Sequence, residues 1–155
     1  MNTPADTAPL PLPASTTETA GQVRIRYHPR FDRPVRLGPG EEATAVRNIP
    51  NTLDVFATHF PRKPVLPGVL LLESMAALAA LVCEEHDTFA PASWRLSGVR
   101  GVGFRHFIGP GDQVEIRVRR TGHRGRSADF SASARVDDRI VATARTLTMT
   151  TGEAT

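Results

Sequence analysis

Between residues 113 and 149 apolar and polar positions alternate almost without a break. "QVEIRVRRT" (113–121), "SADFSASARV" (127–136) and "RIVATARTLTM" (139–149) set apolar side chains at every second position, the period of strands with one buried face. The segments between them, "GHRGR" and "DD", have turn composition, so the three predict an antiparallel meander. Upstream, "QVRIRY" (22–27) and "EEATAVRNI" (41–49) alternate in the same way. They flank "RLGPGEE", whose Gly-Pro-Gly is a strong turn signal, and predict an opening pair of strands. "SWRLSGVRGVGFRHFI" (93–108) reads as one long bent strand whose three glycines suit bulges or close backbone approach; "GPGD" (109–112) ends it.

One segment breaks this period. From Val69 to about His86, "VLLLESMAALAALVCEEH" is dense in Leu, Ala and Met and has no internal Gly or Pro, which predicts a long helix starting just after Pro67 and Gly68. Its apolar residues cover nearly every face until Glu84, as expected of a helix buried against a sheet. One long buried helix with a curled antiparallel sheet of five or six strands is an α+β architecture.

Composition narrows the class. A chain of 155 residues is long enough for one domain with a real core, and 40% hydrophobic with 23% charged residues is ordinary for a soluble globular protein. Residues 1–21, rich in Thr, Pro and Ala, read as a disordered tail, residues 22–150 as the domain, and 151–155 as a short flexible end. The single cysteine, Cys83, excludes an internal disulfide framework and any multi-cysteine metal site; the expected compartment is the cytoplasm. The stretch Val65–Cys83 is the one candidate membrane span, but Pro67, Gly68, Glu73 and Ser74 interrupt it. No membrane association is expected.

The chemistry is concentrated in "HFPRKPVLPGVLLLESMAALAAL" (59–81), where a proline-broken loop carrying His59 meets an apolar run holding a single carboxylate, Glu73. Taken alone, His59 has the blander reading of a loop histidine bonded to backbone, and Glu73 that of a buried acid paired with an arginine. Pro61, Pro64 and Pro67 have the spacing of a polyproline II ligand, but the adjacent apolar residues argue against it. Cys83 and His86 are too few ligands for a metal site, and neither a metal nor a cofactor is expected. His28, His106 and His123 carry no signal.

"HFPRKPVLPGVLLLESMA" strongly resembles the active-site segment of the FabZ-type 3-hydroxyacyl-[acyl-carrier-protein] dehydratases, with the glutamate fourteen residues after the histidine. "GFRHFIGPGDQVEIRV" (103–118) resembles the family's second strand-turn-strand motif. The resemblance spans about residues 22–150 and implies a hot-dog fold, the curled sheet wrapped around one central helix. It implies dehydration of 3-hydroxyacyl thioesters to trans-2-enoyl thioesters, in fatty acid or polyketide biosynthesis. It also implies a homodimer in which His59 of one subunit works with Glu73 of the other.

The residue types suit that reaction. Histidine is a neutral base near pH 7, so His59 is the expected base. Glu73, surrounded by Leu, Ala and Met, is expected to be desolvated and so to serve as the proton donor to the departing hydroxyl. At the helix start the backbone N–H groups of Gly68 and Val69 are expected to hold the thioester carbonyl as an oxyanion site.

From Arg95 to Arg126 there are eight arginines against two acids, Asp112 and Glu115. No aromatic platform accompanies them, so nucleic acid is not the expected partner. The bland reading is a solvated strand face; the resembled family points instead to an acidic acyl carrier protein. Two positions depart from the family pattern: Thr58 stands where glycine usually precedes the histidine, and Ala77 where glutamine often follows the glutamate. These departures keep two alternatives in view, a weakly active or inactive partner subunit of a heteromeric dehydratase and a hot-dog acyl thioesterase. A trimer of dimers or a heterodimer with another hot-dog chain is equally open to the sequence.

Overall fold

The computed structural model describes residues 32–38, 41–53, 55–58, 62–86 and 94–152, with backbone alone for 33–37, Thr58, Glu85 and His86. The candidate strand 22–27, His28, the loop residues 59–61 and the tail 1–21 lie outside the described residues.

Six strands and one long helix make the fold. The strands are β1 (Arg33–Gly38), β2 (Glu42–Asn48), β3 (Trp94–Phe104), β4 (Gln113–Arg124), β5 (Ser127–Val136) and β6 (Arg139–Thr151). A four-residue helix α1 (Val55–Thr58) precedes the long helix α2 (Gly68–His86). The strands form one antiparallel sheet in the order β1-β2-β4-β5-β6-β3, leaving β1 and β3 at its edges. Helix α2 packs across β2 to β6.

The alternation read in β4 and β5 is the alternation observed. Val114, Ile116 and Val118 point into the core while Glu115, Arg117 and Arg119 face water, and Ala128, Phe130, Ala132 and Ala134 alternate in the same way on β5. These side chains meet Leu71, Met75, Leu78, Ala79 and Val82 of α2 to form the core. Burying one leucine in this way contributes roughly 1.5–3 kcal/mol of transfer free energy. The β5–β6 turn holds Asp137 and Asp138 at φ of 49° and 63°, the two left-handed residues of a tight hairpin whose twist matches its strands.

Three boundaries differ from those expected. The strand paired with β2 among the described residues is 33–38, and the Glu41 N–H donates to the Gly38 carbonyl at 3.1 Å where the two strands meet. Strand β3 stops at Phe104 instead of running to 108, because Ile108 is recruited elsewhere: its carbonyl accepts the Leu66 N–H at 2.7 Å. Strand β4 continues to Arg124, so the next turn is confined to Gly125 and Arg126. No helix among the described residues is long and apolar enough to cross a membrane.

Candidate active site

Two chain segments are tied together at the N-terminus of α2. Besides the Leu66–Ile108 bond, Gly109 N–H donates to the Asp112 carboxylate at 2.9 Å and Asp112 N–H returns to the Gly109 carbonyl at 3.2 Å, closing the Gly-Pro-Gly-Asp turn. Gly111 N–H and Asp112 carbonyl exchange bonds of 2.8 and 2.9 Å with Ile49, anchoring that turn to the end of β2. Lys63 Nζ lies 5.4 Å from the centre of the Phe107 ring, a cation–π contact between the segment before α2 and the loop after β3. The second motif thus builds one wall of the site.

Gly68 is where the two meet. A Cβ placed on it would lie 2.5–2.8 Å from three ring atoms of Phe104, so the absent side chain is what lets that ring cover the helix start. Leu70 N–H turns back to the Pro67 carbonyl at 3.0 Å. The N–H groups of Gly68 and Val69 have no acceptor among the described residues, leaving two donors at the positive end of a 19-residue helix. A cavity of about 270 Å³ opens beside them, lined by Pro67, Gly68, Val69, Phe104, His106 and Phe107. Phe104, His106 and Phe107 were not singled out in the sequence; the signal available was the spacing of the two phenylalanines just before Gly-Pro-Gly-Asp.

Glu73 corrects the sequence reading. It is exposed in the single chain, not buried, because the face of α2 that carries it is turned away from the sheet. That face also carries Val69, 64% exposed, and the half-buried Leu72, Ala76, Ala77 and Ala80. Together with Trp94, Leu96 and Met149 they line a groove of about 450 Å³ between α2 and the β3 side of the sheet, with Glu73 toward one end and Glu84 toward the other. Ala77 is part of its floor, so the groove is apolar one helical turn beyond Glu73. The indole Nε1 of Trp94 is buried with no hydrogen-bond partner among the described residues. A groove with a carboxylate toward each end and small alanines along its floor has room for an extended apolar chain.

On its opposite face the same helix turn is pinned. Arg47 of β2 donates through Nη1 to Ser74 Oγ at 2.7 Å and to the Leu70 carbonyl at 3.3 Å, and the Ser74 hydroxyl donates to that carbonyl at 3.3 Å. Ser74 is fully buried. This cluster fixes the turn that presents Glu73.

The structure therefore brings Gly68, Val69 and Glu73 onto one end and one side of α2. His59 lies outside the described residues; Thr58, just before it, closes α1. Among the described residues no group of three metal-ligating side chains occurs.

Comparison with known proteins points one way. Residues 37–145 match the ApeI-like family, described as ApeI dehydratase. A 3-hydroxyacyl-[acyl-carrier-protein] dehydratase FabZ from Granulibacter bethesdensis is 41% identical over 115 residues, which cover 73% of this chain and 68% of that protein. One from Acidiphilium cryptum is 37% identical over 151 residues, 92% of this chain and 90% of that protein. Among solved structures, the dehydratase heterocomplex ApeI:P from Xenorhabdus doucetiae superposes with a TM-score of 0.57 at 22% identity, covering 72% of this chain and 88% of that one.

Proposed function

The chain belongs to the FabZ-type hot-dog dehydratases, and from that membership we propose that His59 and Glu73 carry the family's reaction across the interface of a homodimer. The reaction is loss of water from a 3-hydroxyacyl thioester borne on acyl carrier protein, in fatty acid biosynthesis, giving the 2-enoyl thioester, in our reading the trans isomer.

In this reading the thioester carbonyl sits against the N–H groups of Gly68 and Val69. His59 removes a proton from the carbon next to that carbonyl, and the electron pair moves onto the carbonyl oxygen, where the two donors and the helix dipole hold the negative charge. The pair then returns to form the carbon–carbon double bond as the C3–O bond breaks. Glu73 gives its proton to the departing hydroxide, which leaves as water, and the proton on His59 restores the acid for the next turnover.

The observation that carries the dimer is the openness of the groove. Glu73 is exposed in one chain and stands beside edge strand β3, on which Leu96, Val102 and Phe104 are also exposed. Pairing two β3 edges would extend the sheet, cover these side chains, and take Glu73 out of water while setting the partner's His59 against it.

The test is to incubate the purified protein with a 3-hydroxyacyl carrier protein and follow the acyl mass. Loss of 18 mass units, about the mass of water, is expected, and His59→Ala or Glu73→Gln should slow it by roughly 10²–10⁴-fold. Mixing the two variants should restore up to about a quarter of the activity, because a mixed dimer keeps one intact composite site. Release of the free acid, or mixed variants as inactive as each alone, would refute the reading.

A further inference from the structure

The face of the sheet away from α2 carries a second concavity. It measures about 480 Å³ and is lined by Arg117 and Arg119 of β4, Ser131 and Ser133 of β5, and Thr143 and Arg145 of β6. The pairing of the strands sets these residues in rows. Arg119 stands beside Ser131, Arg117 beside Ser133, and Ser133 beside Thr143. Hydroxyl groups form the floor and guanidinium groups the two walls.

Arg145 is seated by the backbone opposite. Between the paired Arg100–Thr146 and Val102–Ala144 stand Gly101 and Arg145, and Gly101 takes φ of 63°. A Cβ on Gly101 would lie 2.8 Å from Arg145 Cβ, 3.0 Å from Nε and 3.4 Å from Cζ. The arginine therefore lies across the space the glycine leaves, and a side chain there would dislodge it. This holds one guanidinium in place before any ligand arrives.

The charges of this concavity are poorly balanced from within. Glu42 approaches Arg117 at 3.4 Å; Arg119 and Arg145 have no hydrogen-bonding or ion-pair partner among the described residues. Residues two apart on one strand are about 6.8 Å apart and neighbouring strands about 4.8 Å apart, so the long guanidinium arms of the two rows can close on two phosphoryl groups that share a bridging oxygen. Arginine forks and hydroxyl donors are the groups that recognise phosphoryl oxygens.

We propose that Arg117, Arg119 and Arg145, with Ser131, Ser133 and Thr143, form a binding site for a small ligand carrying two phosphoryl groups, on the opposite face of the sheet from the acyl groove. The two phosphoryl groups share a bridging oxygen and lie over the serine row, one gripped by Arg119 and Arg145 and the other by Arg117.

The full-length chain is titrated calorimetrically at low salt with inorganic pyrophosphate and, separately, with orthophosphate. Pyrophosphate is expected to bind at one site per chain at least about tenfold more tightly than orthophosphate, since two charge-assisted contacts replace one. Arg119→Gln and Arg145→Gln should each weaken it by about tenfold, while Arg139→Gln, at the exposed β5–β6 turn, leaves it unchanged. All three side chains are exposed, and retained circular dichroism checks the fold. A nucleoside diphosphate and coenzyme A, titrated in parallel, identify whether a free nucleotide or a thioester carrier supplies the diphosphate. Pyrophosphate binding no tighter than orthophosphate, or binding that is lost equally in Arg139→Gln or unaffected by Arg145→Gln, would overturn the proposal.

Discussion

The two faces of α2 are built from the same residue types and live in different surroundings. Toward the sheet, Leu71, Met75, Leu78, Ala79 and Val82 are at most 1% exposed, and the polar member of that face, Ser74, is held by Arg47. Away from it, Val69, Leu72, Ala76, Ala77 and Ala80 border a groove that one chain leaves open. Hydrophobic burial depends on the area removed from water, whatever removes it. A face completed by its own sheet and a face awaiting another surface are therefore written in one alphabet. The first supplies folding energy; the second is open in one chain and is the face the proposed dimer uses.

Cutting a side chain from each face is the strongest way to break this contrast. Leu78→Ala should destabilise the chain by about 2–5 kcal/mol, the transfer energy of a buried leucine plus the cavity left behind. Val69→Ala, at a position 64% exposed, should change the stability of a dilute chain by no more than about 0.5 kcal/mol. If the open face is an interface, Val69→Ala instead reduces the rise of the urea midpoint with protein concentration. Urea titration of both variants over a range of concentrations reads both effects. Equal losses from the two substitutions, at every concentration, would erase the distinction.

The neighbours Cys83 and Glu84 repeat the contrast within one peptide bond. Cys83 is buried and its thiol is pushed up from 9.0 to about 11, mainly by desolvation, with the Glu84 carboxylate reinforcing and Arg120 opposing the rise. Because the folded pKa lies above the unfolded one, the folded chain keeps a proton that the unfolded chain loses. Its contribution is therefore complete below pH 9 and disappears as pH rises toward and through 11. The expected loss across that window is about 2–3 kcal/mol, and Cys83→Ala should flatten it. Denaturation midpoints measured from pH 8 to 11 decide this. An equally steep fall in Cys83→Ala would assign the effect to other groups.

This contrast also explains how far the sequence could be read. The meander was legible because each of β4 and β5 has one wet and one dry face, and period two records that directly. Helix α2 was legible as a helix but not in its orientation: an apolar run surrounding Glu73 looks the same whether its second covering is sheet or a separate surface. The end of β3 was misplaced because Phe107 and Ile108, suitable strand residues by type, are used as a wall of the cavity and as the acceptor of the Leu66 N–H. The four residues of α1 are too few to display a helical period. His59 and Glu73 stood out through a resemblance; nothing in periodicity or composition pairs a loop histidine with a helical acid fourteen positions on.

The smallest change tests whether the two faces can be tuned separately. Ser74 follows Glu73 in the chain but points the other way, into the Arg47 cluster. Ser74→Ala removes the acceptor 2.7 Å from Arg47 Nη1 and leaves the Leu70 carbonyl as the bond still described for that nitrogen. The expected cost is about 1 kcal/mol, the net worth of one hydrogen bond, because the half-buried guanidinium retains other contacts. If Arg47 and Ser74 fix the axial position of α2, loosening them shifts Glu73 and the two N–H donors relative to the β3 wall. Turnover should then fall several-fold with KM little changed, since the groove proposed for the acyl chain is intact. Ser74→Thr keeps a hydroxyl at that position and should recover most of the turnover. Parallel urea curves and kinetics on the two variants separate the roles. A stability loss with unaltered turnover would make the cluster purely structural, and the open face of α2 indifferent to how its buried face is held.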